Sequence, residues 1–230
     1  MMDFVTLTVL ASGIAWTITY AALAYRGFKD KSFGMPLIPL ALNIAWEVVF
    51  SFIYPPQDDG GMKMVIHTVW AMLDAAIVAT FLLYGYKYYE KQYGISKGIF
   101  YFSALLAFVA SFLVMLLGGP FFKDLLPYFK GEMFETAKFI AYLQNLVISV
   151  SFVSMFYSRR SIEGQSFTIA WTKWLGTSMT VGISYLFVEH PDNWYFMGVI
   201  IGTTFILDVW YMMLIYRQLQ QAGINPWTRL

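Results

Sequence analysis

The chain of 230 residues is 59% hydrophobic and 20% aromatic but only 13% charged, where a soluble domain averages about 25% charged. So few polar groups cannot coat a globular surface. Lipid is therefore the expected solvent, and a net charge of +1 argues against a nucleic-acid partner. The absence of cysteine excludes disulfides, thiol catalysis and Cys-ligated metals, and His67 and His190 alone are too few for a His-rich metal site.

A spanning helix needs about 20 mainly apolar residues. Seven stretches qualify in chain order: Phe4–Tyr25, Pro36–Tyr54, Met64–Tyr84, Gly98–Leu117, Lys138–Tyr157, Phe167–Phe187 and Phe196–Tyr216. The first begins almost at Met1, with no basic leader and no small-residue cleavage site, and reads as a retained helix rather than a signal peptide. The breakers fall in short connections: Arg26–Met35, Pro55–Lys63, Gly85–Lys97, Gly118–Ala137, Ser158–Ser166 and Val188–Tyr195. No linker, internal repeat or second domain is visible. The expected fold is all-α: one polytopic membrane domain over residues 1–230 with seven transmembrane helices. The spacing of Gly198 and Gly202 suits close helix packing.

Basic residues orient such a bundle, because cytoplasmic loops keep an excess of Lys and Arg. With the N-terminus outside, the inner segments hold ten: Arg26, Lys29, Lys31, Lys87, Lys91, Lys97, Arg159, Arg160, Arg217 and Arg229. The outer segments hold four: Lys63, Lys123, Lys130 and Lys138. The outer loops also carry Asp58, Asp59, Glu132, Glu135, Glu189 and Asp192. The expected orientation is N-out, C-in. Tyr, Trp and Phe at many helix ends suit an interfacial aromatic belt.

Three carboxylates fall near helix centres: Glu47 in the second stretch, Asp74 in the third and Asp208 in the seventh. A charge at the centre of a spanning helix costs at least roughly 2.5–3.5 kcal/mol. At about 1.5 Å per residue, each acid lies roughly 12–18 Å from its helix ends, so the three can share one layer. Asn43 stands one turn before Glu47, within hydrogen-bonding reach on the same face. His67, Trp70 and Asp74 share another helical face. Gln144 and Asn145 also lie in the apolar bundle, and Trp210 and Tyr211 flank Asp208.

Such groups can simply join helices through hydrogen bonds, and Lys173 can pair with an acid or snorkel. Yet one internal lysine cannot neutralise three acids, so at least one is expected to be a protonated carboxylic acid. In a dry, aromatic-lined cavity that group is a proton donor. The chemistry it suits begins on an apolar substrate, by protonating an alkene or opening an epoxide. The resulting carbocation needs aromatic faces and exclusion of water. Trp46, Trp70, Trp171, Trp174, Trp210 and Tyr211 are candidate faces, although each could serve packing or anchoring alone.

Three motifs carry a resemblance. Asn43-Ile-Ala-Trp46-Glu47-Val-Val-Phe50, followed by Tyr54-Pro55-Pro56, resembles the second-helix motif of the integral-membrane terpene cyclases of fungal meroterpenoid and indole-diterpene pathways, a family with bacterial relatives. Arg160-Ser-Ile-Glu-Gly164-Gln165-Ser166 and Trp171-Thr-Lys-Trp174-Leu-Gly176-Thr are similar to its fifth loop and sixth helix. Leu207-Asp208-Val-Trp-Tyr211 resembles its last helix. The resemblance implies a seven-helix isomerase or lyase that cyclises a linear prenyl chain by protonation. It implies that Glu47 and Asp208 are the essential acids, without saying which donates the proton. Asp74 is added from its depth alone. Asn43, Trp46, Trp70, Asp74, Asn145, Trp171, Trp174, Trp210 and Tyr211 are the expected substrate-lining residues.

The Asp-x-Asp-Asp motif of other protonation-type cyclases is absent, as is the Asp-Asp-x-x-Asp run that holds magnesium and diphosphate. No cofactor or metal is therefore expected. The expected partners are the bilayer, an apolar prenylated small molecule and an upstream prenyltransferase or epoxidase. The membrane would be the plasma membrane in a bacterium and the endoplasmic reticulum in a fungus. A retinal protein needs a Schiff-base lysine, usually in the last helix, which here has none. A small transporter or receptor that uses buried acids for binding is the alternative, but a transporter should show repeated halves.

Overall fold

The computed structural model describes residues 3–55, 62–125, 129, 131–189 and 194–230. His190, Lys130, Pro56 and the expected outer-loop acids Asp58, Asp59 and Asp192 lie outside the described residues. The described residues form α-helical and π-helical segments and no strand. The seven α-helices are α1 (Phe4–Lys29), α2 (Leu37–Val48), α3 (Met62–Tyr93), α4 (Lys97–Leu125), α5 (Met133–Arg159), α6 (Phe167–Trp174) and α7 (Tyr195–Gln221).

Five of them, α1, α3, α4, α5 and α7, are long and apolar enough to cross a membrane. The second and sixth expected spans differ in kind. There α2 gives way to a π-helical stretch at Val49–Ile53, and α6 to one at Leu175–Gly182, with a further π-helical turn at Tyr185–Glu189. Contacts cluster in two compact units, residues 1–34 with 145–230, and residues 35–144.

In the unit of residues 35–144, α2 packs against α3 and α4. Pro36 precedes the helix in an extended conformation, where its fixed φ is favourable and its missing N–H costs nothing. The π-helical stretch ends at Tyr54, whose N–H reaches back to the Val49 carbonyl at 2.8 Å. Pro55 follows, and a residue before proline is disfavoured in the α region. The expected Gly85–Lys97 loop shrinks to residues 94–96, because α3 runs on to Tyr93. The cause is tertiary. The Phe100 ring lies over Gly85, so close that a Cβ there would come within 3.2 Å of it, and it stacks on Phe81 at 5.3 Å. Gly94, with φ +66°, then closes the helix in the left-handed conformation that glycine adopts freely.

The expected Gly118–Ala137 loop also shortens, since α4 continues through Pro120 to Leu125. A proline cannot donate to the carbonyl four residues back, here Leu116. The Tyr54 hydroxyl donates to that carbonyl at 3.1 Å and supplies the missing partner.

In the other unit, α1 packs on α6 and its π-helical continuation, and α6 packs on α7. Asp3 caps α1 by accepting from the Thr6 N–H at 2.7 Å, and its hydrogen bonding to Thr6 holds its carboxyl below the usual carboxylate range. Ser12 donates to the Gly176 carbonyl at 2.6 Å, and the Thr19 and Thr172 hydroxyls lie 2.8 Å apart. The indole of Trp16 sits where a Gly176 Cβ would be 2.8 Å from it, so this approach requires glycine. Close packing does not occur at Gly198 or Gly202, where a Cβ would meet nothing within 4 Å. Beyond α1, Arg26 and Arg229 both bind Asp30, at 3.0 and 2.8 Å. Arg159 donates to the Phe33 carbonyl at 2.7 Å and lies over the Phe33 ring.

Candidate active site

Glu47 and Asp74 belong to the unit of residues 35–144, and Asp208 to the other. All three side chains are buried. They acquire very different partners.

Asn43 and Glu47 are one turn apart on α2, and His67, Trp70 and Asp74 recur at helical spacing on α3. Packing α2 on α3 brings the two polar rows together. His67 Nδ1 lies 3.2 Å from Glu47 Oε2, a hydrogen bond that requires one proton shared between the two atoms. Asn43 Nδ2 donates to Asp74 Oδ2 at 2.6 Å, and Gln144 Nε2 donates to Asn43 Oδ1 at 2.8 Å. Asn43 is thus the centre of a chain that begins on α5 and ends on α3. Asp74 Oδ1 and Gln144 Oε1 remain buried and unpartnered among the described residues.

Aromatic rings wall this cluster. Trp46 donates its indole N–H to the Ala137 carbonyl at 3.0 Å, which fixes its plane. Its ring lies 5.5 Å from both His67 and Phe50, and Trp70 meets His67 edge-on at 5.3 Å. Such offset and edge-on contacts stabilise beyond simple burial.

The second cluster forms on α5, α6 and α7. Lys173 Nζ lies 2.6 Å from Asp208 Oδ1 and 2.6 Å from Ser149 Oγ, which donates in turn to the Asn145 carbonyl at 2.9 Å. The Lys173 and Asp208 side chains are 1% and 2% exposed. Asp208 Oδ2 is buried with no partner among the described residues. Thr177 lies 3.5 Å from Asn145 Oδ1. One turn beyond Asp208, the Tyr211 hydroxyl donates to Gln165 Oε1, and Gln165 Nε2 donates to the Gly34 carbonyl at 2.5 Å. The Tyr211 ring meets Phe152 edge-on at 5.2 Å.

The expected lining residues therefore separate. Asn43, Trp46, Trp70 and Asp74 surround Glu47, while Asn145 and Tyr211 belong with Asp208. Trp171 and Trp174 flank Lys173 on α6, both half-buried, and Trp174 packs on Phe205 at 5.8 Å. Trp210 is 42% exposed and meets Tyr157 edge-on, so it faces outward rather than toward the buried acid. His67, Lys173, Gln144, Ser149 and Gln165 enter the clusters although sequence reading did not place them in the site. The helical spacing of His67 with Asp74 was a usable signal. Gln165 stands in the Arg160–Ser166 motif, but its bond to Tyr211, 46 residues on, has no local signature.

The molecule is a helical membrane-type protein with two buried acid clusters, one hydrogen-bonded to histidine and one salt-bridged to lysine. Residues 2–222 match the Pyr4-like transmembrane terpene cyclases, and the chain belongs to that family. It is 28% identical over 169 residues to the Pyr4-family terpene cyclase mfmH of Annulohypoxylon moriforme, covering 74% of this chain and 65% of that one. Terpene cyclase macJ of Penicillium terrestre is 28% identical over 166 residues, covering 72% and 60%. Terpene cyclase paxB of Penicillium paxilli is 28% identical over 184 residues, covering 78% and 69%. The aligned part of the chain thus spans less than two thirds of the length of mfmH and macJ. No solved structure matches.

Proposed function

We propose that this chain is an integral-membrane cyclase that protonates a linear prenyl chain, on a prenylated aromatic or a free isoprenoid, and guides the carbocation to a cyclic product. The observation that carries the reading is the unequal partnering of the buried acids. Lys173 forms a salt bridge with Asp208, whereas Glu47 is hydrogen-bonded to the imidazole of His67 and Asp74 to the amide of Asn43. Glu47 is accordingly the proton donor. Asp208, paired with Lys173, is the second essential acid. Trp46 and Trp70 supply π-faces beside the donor.

The terminal alkene or the epoxide oxygen takes the proton of the Glu47 carboxylic acid, leaving a carboxylate and a carbocation as the π bond or the epoxide C–O bond breaks. Successive double bonds attack the cation and close rings. Loss of a proton from carbon, or capture by a hydroxyl of the substrate, ends the cascade. The aromatic walls limit quenching by water. In this reading the chain crosses the bilayer seven times, N-out and C-in, with α2 and α6 completed by their π-helical continuations. An upstream prenyltransferase or epoxidase supplies the substrate.

The test is product analysis by mass spectrometry, with membranes containing the full chain given a farnesylated phenol and its terminal epoxide. Cyclised isomers of either substrate are expected. Glu47→Gln should reduce their formation by roughly 10²–10⁴, the usual cost of removing a general acid. Near-normal cyclisation by that variant at normal expression would refute the assignment.

A further inference from the structure

We propose that His67 is the proton relay that reloads Glu47 between turnovers. The inference rests on the reading of Glu47 as donor and adds the group that restores it. After giving its proton to substrate carbon or oxygen, Glu47 is a carboxylate in an apolar surround, and a second cycle requires a new proton. His67 Nδ1, 3.2 Å from Glu47 Oε2, is within direct transfer distance.

Position supports the direction of transfer. His67 follows the start of α3 at Met62 by five residues, about 7.5 Å along the axis, and so stands toward that end of the span. Its side chain is 11% exposed against 2% for Glu47, so it is the less buried member of the pair. Trp46 and Trp70 both contact the imidazole and hold the ring in place. Histidine also exchanges its proton near neutral pH, as no other unperturbed side chain does.

The step balances without a further reagent. The Nδ1–H bond of imidazolium breaks and the Oε2–H bond of Glu47 forms, leaving neutral imidazole and carboxylic acid. The imidazole then takes a proton from water, and water receives the proton that the cyclised cation releases, so the cycle is proton-neutral. Of the other titratable groups on the neighbouring helices, Asp74 lies on α3 with its Oδ2 bound to Asn43. Glu135 and Lys138 on α5 pair with each other at 2.7 Å. On α4, Lys97, Lys123 and Asp124 stand in the terminal turns. Among the described residues it is His67 that hydrogen-bonds to the Glu47 carboxyl.

The experiment compares wild type, His67→Gln and His67→Ala in membranes on the same epoxide and alkene probes, in single-turnover and steady-state modes. His67→Gln keeps a hydrogen-bonding group beside Glu47 but cannot relay. It should complete a first turnover close to the wild-type rate, then slow by at least about tenfold, and lose the alkaline limb of the wild-type pH–rate profile. Added imidazole should restore part of the steady-state rate to His67→Ala. Wild-type turnover and pH profile in His67→Gln would overturn the relay. A loss already complete in the first turnover, with no imidazole rescue, would overturn it equally and leave a structural role. If wild type itself forms no cyclised product, the underlying assignment as a cyclase fails instead.

Discussion

Lys173 Nζ lies 2.6 Å from Asp208 Oδ1, and both side chains are almost sealed from solvent. The single internal lysine is therefore committed to one of the three buried acids. Removing one partner of a buried pair typically costs about 3–5 kcal/mol, because the other is left as an uncompensated charge, whereas replacing both with apolar residues is often neutral or stabilising. Asp208→Asn and Lys173→Met should each lower the thermal midpoint of the detergent-solubilised protein. Lys173→Met/Asp208→Leu should recover most of it while remaining inactive. Additive losses in the double variant would show that the pair is not a stability unit.

The proposed function makes Glu47 and Asp208 both essential, which has a kinetic consequence. Asp208→Asn should depress product formation about as severely as Glu47→Gln, and the double variant should be little worse than either, since residues acting as a unit are not additive. The check is the ratio of initial rates at matched expression. Multiplicative losses would assign the acids to separate steps.

Tyr54 takes the place of the backbone donor that Pro120 lacks, by bonding the Leu116 carbonyl. Tyr54→Phe keeps the ring contact with Phe50 at 6.2 Å and removes only the hydroxyl. Leaving that carbonyl unpaired should cost about 1–3 kcal/mol, measured as a lower thermal midpoint. Adding Pro120→Ala to the same background should restore part of the loss, because an alanine there carries a backbone N–H that can donate to the Leu116 carbonyl. No recovery would sink this account of the helix.

Gly176 is the point where α1 reaches the α6 segment. A methyl group there would meet the Trp16 indole at 2.8 Å, and a rigid ring cannot yield locally. Gly176→Ala should destabilise by about 1–3 kcal/mol through overpacking. Gly198→Ala, with open space around the new methyl, should cost far less. Equal effects in the two variants would contradict the packing described.

The orientation is tested at the link of residues 94–96, where Ser96 is exposed. The chain has no native cysteine, so Ser96→Cys gives a single label site. In intact cells an impermeant thiol reagent should leave it unmodified until the membrane is permeabilised. Ready labelling from outside would reverse the N-out, C-in assignment.

Most helix positions and the burial of Glu47, Asp74 and Asp208 were legible in the sequence, because hydropathy and helical spacing are local properties of the chain. Composition likewise marked a membrane protein, and the motifs around Glu47 and Asp208 marked its family. The pairings were not legible. Lys173 and Asp208 are 35 residues apart, Glu47 and His67 are 20 apart, and Gln144 reaches Asn43 across 101. An unpaired buried polar group is costly, which requires that partners exist, but only the packing of α2 on α3, and of α6 on α7, selects which. The same reason explains the helix ends that sequence reading misplaced. Gly85 and Pro120 are breakers by local propensity, and Phe100 packed over one and Tyr54 bonded beside the other keep both within helices.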